Sequence, residues 1–215
     1  MLNYILFDLD GTLTDSGNGI INSLKYALNK MGIKETDESV LKSFIGPPIK
    51  ERGIEVYGIT VKESEDLLAF YREYFVKQGM YENEVYSGVK EMLHTLKNAG
   101  KKIIVATSKP EVHACEILRH FGLLQYFDMI VGATLDGKIS DKNQVLTEAI
   151  KRAKVNVKSA VMIGDRKYDI NGGKKFNMIT VGVTYGYGDY QELKDAGADY
   201  IVDSANQLEK LLMEI

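Results

Sequence analysis

The chain has 215 residues, of which 45% are hydrophobic and 27% are charged, as in ordinary soluble proteins that form a sizeable core. Its net charge of -3, from 27 basic and 30 acidic side chains, gives no reason to expect a nucleic-acid polymer or an acidic membrane surface as a partner. No apolar run approaches the roughly 20 residues that span a bilayer. The only cysteine, Cys115, excludes an intrachain disulfide and fits a reducing compartment. Because the N-terminal residues carry no export signal, a cytoplasmic location is expected.

The predicted elements begin with a buried strand at residues 4–7 and continue with helices alone over residues 18–31, 37–44, 48–57 and 61–78. Farther along, helices and strands alternate. The helices are predicted over residues 88–98, 110–121, 142–153, 167–176 and 204–213, and the strands over residues 102–106, 128–132, 160–164, 179–183 and 199–202. Such alternation predicts an α/β fold, a Rossmann-like doubly wound parallel sheet with helices on both faces. The first four helices then form an all-helical insertion after the first strand.

Two carboxylates stand at the end of the first predicted strand. Residues 4–12 read Tyr-Ile-Leu-Phe-Asp-Leu-Asp-Gly-Thr, so Asp8 and Asp10 follow an apolar run and precede the turn residue Gly11. Unpaired charges at the end of a buried strand would each cost roughly several kcal/mol in lost hydration, so a metal ion or phosphate chemistry would explain them. A plain surface turn is the alternative. An EF-hand calcium loop is excluded, because it requires glycine and glutamate where this chain has Leu13 and Gly19.

Two later strands also end in polar groups. The strand at residues 102–106 is followed by Thr107, Ser108 and Lys109, and the strand at residues 160–164 is followed by Asp165, with Asp169 four residues beyond. If a helix begins after Gly164, these two aspartates share its first face, where the helix dipole favours negative charge. Strands with reactive groups at their ends predict a site at the carboxyl edge of a parallel sheet.

Together, Asp8-Leu9-Asp10-Gly11-Thr12, Thr107-Ser108 and Gly164-Asp165 through Asp169 resemble the motifs of the haloacid dehalogenase-like hydrolase superfamily, and the resemblance runs the length of the chain. With the Gly46-Pro47-Pro48 turn and residues 183–188, the chain is similar to the phosphoglycolate phosphatase-like or bacterial 5'-nucleotidase-like branch. The resemblance implies an α/β core domain, residues 1–14 and 83–215, and a helical cap domain, residues 15–82. Closing a cap expels water and strengthens charge interactions at the site.

The resemblance also implies catalytic roles. Asp8 would be the nucleophile that becomes an aspartyl-phosphate, and Asp10 would be the general acid and base. Lys142 would balance the negative charge of Asp8 and of the transferring group, with Lys138 as the fallback. For Lys142 the competing interpretation is an ordinary solvated lysine in the first turn of a helix.

The remaining implied roles concern binding. The phosphate would be held by Gly11, Thr107, Ser108 and Lys109, and Arg166 is a further possible contact. Mg²⁺ is the expected cofactor, because it is a hard cation that prefers oxygen ligands. Its ligands would be Asp8, the backbone carbonyl of Asp10, and Asp165, with Asp169 orienting them from behind.

The function implied is a Mg²⁺-dependent phosphatase that hydrolyses small phosphate monoesters, as a 5'-nucleotidase or a phosphoglycolate phosphatase would. One alternative is a phosphotransferase or sugar phosphomutase, although no histidine follows Asp15 closely, which counts against a mutase. Another alternative is a catalytically weak regulatory protein on the same scaffold. The presence of Asp8, Asp10 and Asp165 counts against it. A monomer or weak homodimer is expected.

Overall fold

A computed structural model describes residues 2–215, which divide into two compact units. One unit comprises the residues up to Asp15 together with Val85–Ile215, and the other comprises Ser16–Glu84. No helix in the described range is long and apolar enough to cross a membrane. That the second unit acts as a cap stays a prediction.

The strands of the chain are β1 (Tyr4–Phe7), β2 (Thr14–Asp15), β3 (Glu84–Val85), β4 (Lys102–Pro110), β5 (Met129–Ala133), β6 (Ala160–Gly164), β7 (Ile179–Val183) and β8 (Tyr200–Val202). Six of them form one parallel sheet in the order β5-β4-β1-β6-β7-β8. In its register Phe7 pairs with Val105 on one side and with Ile163 on the other. Since strand order reverses between the first and the second half of the chain, the sheet is doubly wound and the predicted α/β fold is confirmed.

The helices are α1 (Gly17–Lys30), α2 (Glu38–Lys42), α3 (Ile49–Tyr57), α4 (Val61–Tyr74), α5 (Val89–Asn98), α6 (Glu111–His120), α7 (Lys142–Ala153), α8 (Lys167–Lys175), α9 (Tyr190–Asp195) and α10 (Ala205–Glu214). A π-helical turn, Phe75–Gly79, follows α4, and 3₁₀ turns lie at Leu124–Tyr126 and Val157–Ser159. The first four helices and the π-helical turn belong to the second unit. Each of the others lies within the sheet-containing unit.

The sheet core explains how α7 is held in place. Leu6, Ile104 and Met162 on adjacent strands are buried in one cluster with Val145 and Leu146 of α7. At its start, the Asp141 side chain accepts a hydrogen bond from the Gln144 N–H, and the Gln144 side chain accepts one from the Asp141 N–H. This capping box fixes the first turn of the helix. It therefore fixes the position of Lys142, the first helical residue.

The structure differs from the sequence prediction at several places, including the short strands β2 and β3, which were not predicted. The helix α9 was not predicted, because its six residues bury only Leu193 and are too short to show a helical period. Strand β4 continues past residue 106 to Pro110, and its register with β5 shifts between Thr107 and Pro110. A bulge of this kind bends a strand and changes the direction of its side chains.

Within the helical unit, α1 and the π-helical turn approach each other through two glycines. A Cβ atom built at Gly19 would overlap the carbonyl oxygen of Gly79, and one at Gly79 would overlap the Ser23 side chain. The Ser23 hydroxyl in turn donates to the Gly19 carbonyl at 2.6 Å. The backbones therefore pack without any space for side chains.

Gly19→Ala should lower the free energy of unfolding of the protein. The added methyl group must displace backbone rather than a flexible side chain, so a loss of about 1–3 kcal/mol is expected in urea denaturation. The control is Asn18→Ala on the exposed face of the same helix, with an expected change within about 0.5 kcal/mol. Equal effects of the two substitutions would contradict the close packing.

Candidate active site

Two of the predicted carboxylates lie at neighbouring strand ends. Strands β1 and β6 pair in parallel, and the Asp8 N–H donates to the Ile163 carbonyl at 2.9 Å. Asp165 follows β6 directly, and Asp169 lies in the first turn of α8. One carboxylate oxygen from each of Asp8, Asp165 and Asp169 lies within 4.8 Å of the others. Three acidic side chains thus converge at the carboxyl edge of the sheet.

Lys142 is the cation inside this group. Its Nζ lies 2.9 Å from Asp8 Oδ1 and 2.7 Å from Asp169 Oδ1, and it donates to the Ala106 carbonyl at 2.9 Å. Only 6% of its side chain is exposed. A lysine at this depth requires ionic partners. The alternative of a solvated lysine is therefore wrong for Lys142.

The charges of the site do not balance. Burial, followed by repulsion from Asp169 and Asp8, raises the pKa of Asp165 well above its ordinary value. Burial raises the pKa of Asp169 to about 6, although Lys142 opposes the shift. For Lys142, burial lowers the pKa, but the carboxylates of Asp169 and Asp8 outweigh it and the net shift is upward. Three crowded carboxylates thus have one ammonium group beside them, which pairs with Asp8 and Asp169.

This donor set fits a hard divalent cation. All three converging groups offer carboxylate oxygens, which Mg²⁺ and similar cations prefer. The oxygens Asp8 Oδ1 and Asp169 Oδ1 are buried and accept no well-formed hydrogen bond from the described residues, although Lys142 lies beside both. A divalent cation would supply the positive charge that the protein itself does not.

The Asp165 carboxylate is oriented by the surrounding backbone. The Tyr187 N–H donates to its Oδ2 at 2.8 Å, and the Thr12 hydroxyl lies 3.5 Å from its Oδ1. Gly11, with φ +79°, leaves the space that Asp165 fills, because a Cβ atom there would overlap the carboxylate. The Gly11 N–H itself donates to the Thr14 carbonyl at 2.8 Å. In this structure, therefore, Gly11 makes room for Asp165, and its N–H is engaged within the turn.

Asp10 has a different partner from the other carboxylates. Its Oδ1 lies 2.8 Å from the Nζ of Lys109, whose side chain is only 6% exposed. The Lys109 N–H donates to the Thr107 hydroxyl oxygen at 3.2 Å, within the irregular end of β4 together with Ser108. The structure therefore places Lys109, which was predicted to contact phosphate, on the predicted general acid and base.

Two other basic residues of the prediction are engaged elsewhere. Lys138, the fallback for Lys142, is 84% exposed and pairs with Asp136 at 2.9 Å. The Arg166 side chain donates through its Nε to Glu192 at 2.9 Å, and the Arg166 backbone N–H donates to Asp169 Oδ2 at 3.1 Å. Between the two candidate lysines, the geometry favours Lys142.

The sequence analysis gave Thr12 and Tyr187 no role in orienting Asp165. Thr12 is fully buried and is the last residue of the first motif, so its place in that motif was the only available signal. Tyr187 contacts Asp165 through its backbone. A backbone contact leaves no mark on the residue type, and the sequence could not reveal it.

Residues 5–183 match the family described as haloacid dehalogenase-like hydrolase. The chain belongs to this family. A 5'-nucleotidase from Pseudomonas aeruginosa is 40% identical over 190 residues, which are 88% of this chain and 86% of that protein. The crystal structure of a predicted phosphatase from Clostridium acetobutylicum is 48% identical, covers 100% of both chains and has a TM-score of 0.96. The predicted haloacid dehalogenase-like family and phosphatase class are confirmed.

One similar protein carries a different activity in its name. Tyrosine-protein kinase PtkA from Mycobacterium tuberculosis is 38% identical over 184 residues, which are 86% of this chain. The match covers 62% of that relative, so this chain spans less than two thirds of its length. Two proteins that are similar to this chain thus carry names for different activities.

Divalent metal should stabilise the protein more strongly at higher pH. Folding raises the pKa of Asp169 from 3.8 to about 6, so between these values the folded, metal-free protein holds a proton that the unfolded chain has lost. The free energy of unfolding of the metal-free protein therefore falls as pH rises through that range. Because a cation binds the ionised carboxylates, added Mg²⁺ should raise Tm more at about pH 7.5 than at about pH 5.

Thermal unfolding with and without MgCl₂ at the two pH values measures this effect. Asp136→Asn, which removes a carboxylate outside the triad, serves as the control and should respond to Mg²⁺ like the unaltered protein. A Mg²⁺-induced shift in Tm that is equal at both pH values would contradict the assignment of the triad as the metal site.

Proposed function

We propose that the protein is a Mg²⁺-dependent phosphatase that hydrolyses small phosphate monoesters through an aspartyl-phosphate. One observation carries the proposal: Asp8, Asp165 and Asp169 converge at the carboxyl edge of the sheet, and the buried Lys142 pairs with Asp8 and Asp169. A buried charge cluster of this kind costs stability, and such clusters are common at binding and catalytic sites. The cluster suits a reaction in which a carboxylate attacks an anionic group such as a phosphate.

Asp8 is the proposed nucleophile. A carboxylate oxygen of Asp8 attacks phosphorus, the bond to the ester oxygen breaks, and the phosphoryl group is left on Asp8. Water then attacks that phosphorus, the bond to the Asp8 oxygen breaks, and inorganic phosphate leaves. The ion pair between Lys142 and Asp8 holds the carboxylate in place and offsets negative charge as the phosphoryl group arrives.

Asp10 is the proposed general acid and base. It gives a proton to the departing ester oxygen in the first step and takes one from the attacking water in the second. The Lys109 ammonium, 2.8 Å from Asp10 Oδ1, fixes the direction of that carboxyl group. In this proposal Lys109 orients Asp10, the general acid and base, while Thr107 and Ser108 contact the phosphate.

The carboxylates of Asp8, Asp165 and Asp169 would hold the cation, together with the backbone carbonyl of Asp10. When bound, Mg²⁺ supplies positive charge that reduces repulsion between Asp8 and a phosphate dianion. One oxygen of Asp169 lies within 4.8 Å of an oxygen of Asp8 and of an oxygen of Asp165. We therefore place Asp169 among the residues that face the metal, while its contact with Lys142 also orients it.

Nucleoside 5'-monophosphates are the proposed first substrates, since a 5'-nucleotidase is among the similar proteins. Phosphoglycolate is the second ester that the sequence motifs favour. The similarity to a tyrosine-protein kinase gives a specific reason to test a second function, phosphoryl transfer to a protein tyrosine. Both functions can use the same nucleophile, so only the acceptor distinguishes them.

Lys142→Met should lower kcat by about 100-fold or more, because it leaves Asp8 without its cation. Lys138→Met is the matched control, since Lys138 is exposed, and its kcat should stay within about twofold of the unaltered protein. Steady-state hydrolysis measures both, with Tm recorded to show that each variant is folded. A folded Lys142→Met variant with ordinary turnover would contradict the proposed role.

The test of the function is phosphate release from a panel of esters, with Mg²⁺ and with a chelator. The panel contains nucleoside 5'-monophosphates, phosphoglycolate, sugar phosphates and p-nitrophenyl phosphate, and Asp8→Asn is the inactive control. Release that needs Mg²⁺ and Asp8 is the expected result, with the nucleotides hydrolysed fastest. Absence of ester hydrolysis, together with transfer from ATP to a tyrosine-containing protein, would overturn the phosphatase in favour of the kinase function.

A further inference from the structure

We infer that Tyr187 is a positioning residue for the metal site: its hydroxyl bond to Asp15 holds the backbone N–H that orients Asp165. The inference rests on the proposed function in one respect, namely that Asp165 is a ligand of the divalent cation. It concerns the loop of residues 184–188, which follows β7 and to which the proposed mechanism gives no role.

The backbone of this loop lies directly against Asp165. A Cβ atom at Gly186 would overlap the Gly11 carbonyl and the Asp165 side chain, and one at Gly188 would overlap the Asp165 carbonyl. Between these two glycines, the Tyr187 N–H donates to Asp165 Oδ2 at 2.8 Å. The position of one metal-facing carboxylate therefore depends on where this loop lies.

Two tyrosine hydroxyls attach the loop to the segment that follows β1. The Tyr185 hydroxyl donates to the Thr12 carbonyl at 3.0 Å, and the Tyr187 hydroxyl donates to Asp15 Oδ1 at 2.6 Å. The Tyr185 ring also packs edge-on against Tyr86, with ring centroids 4.9 Å apart.

The two ends of Tyr187 thus have different partners. Its N–H bonds the Asp165 carboxylate, whereas its hydroxyl bonds Asp15. Asp15 is exposed, so this hydrogen bond does not serve to pair a buried carboxylate. The hydrogen bond between the Tyr187 hydroxyl and Asp15 instead restricts the loop. Groups that orient a metal ligand affect the affinity for the metal without contacting it.

The experiment measures Mg²⁺ and Mn²⁺ affinity of the metal-free protein by titration calorimetry, with Tm recorded for each variant. Tyr187→Phe keeps the ring and the N–H but removes the hydroxyl, and Asp15→Ala removes its acceptor. Each should weaken metal binding by about tenfold. The double variant should be no weaker than either single one, because both remove the same hydrogen bond.

Two controls separate positioning from general destabilisation. Asp15→Asn retains an acceptor oxygen and should bind metal within about twofold of the unaltered protein. Tyr200→Phe removes a hydroxyl from the exposed edge strand β8, and its metal affinity should not change. A purely structural role would lower Tm in Tyr187→Phe without weakening metal binding.

Unchanged metal affinity in a folded Tyr187→Phe variant would overturn the inference while leaving the proposed function intact. Additive losses in the double variant would also overturn it, since the two side chains would then act separately. Failure of the unaltered protein to bind either metal would instead remove the metal site itself, and the inference with it.

Discussion

The ion pairs of Lys142 are the interaction on which the rest of the site depends. Its ammonium group is buried between Asp8 and Asp169 and also bonds the Ala106 carbonyl, so it links groups from β1, α8 and β4. Without it, carboxylates at neighbouring strand ends would repel one another in a place that water reaches poorly. The same ammonium still leaves the site with excess negative charge. This arrangement suits a divalent cation, as the proposed function requires.

The sheet provides the geometry that this interaction needs. Because β1 lies between β4 and β6 in a parallel sheet, the residues after these three strands meet at one edge. The chain then adds close backbone approaches that only glycine allows. Gly11 and Gly186 both leave the space occupied by the Asp165 side chain. Side chains of the candidate site that are far apart in sequence are therefore oriented by backbone, which is stiffer than side-chain contacts.

Much of the fold could be predicted because its signals are local. Strands β6 and β7 and helix α7 begin and end at the predicted residues, since apolar runs, glycines and capping residues mark them. The site was less predictable. Lys142 could be placed in the first turn of a helix, but its direction depends on packing against β4. The pair between Lys109 and Asp10 joins residues 99 positions apart, and no local pattern shows which anion a buried lysine will meet.

The central claim, that Asp8 is a nucleophile within a metal-dependent charge cluster, is tested most directly by mass spectrometry of the protein during turnover. The protein is mixed with Mg²⁺ and with an intact phosphate ester that it hydrolyses. The reaction is quenched with acid during turnover, and the protein is digested. The account predicts a phosphoryl group on the peptide that contains Asp8, absent in Asp8→Asn and absent when a chelator replaces Mg²⁺. Phosphate release at an undiminished rate by Asp8→Asn, without any phosphorylated peptide, would contradict it.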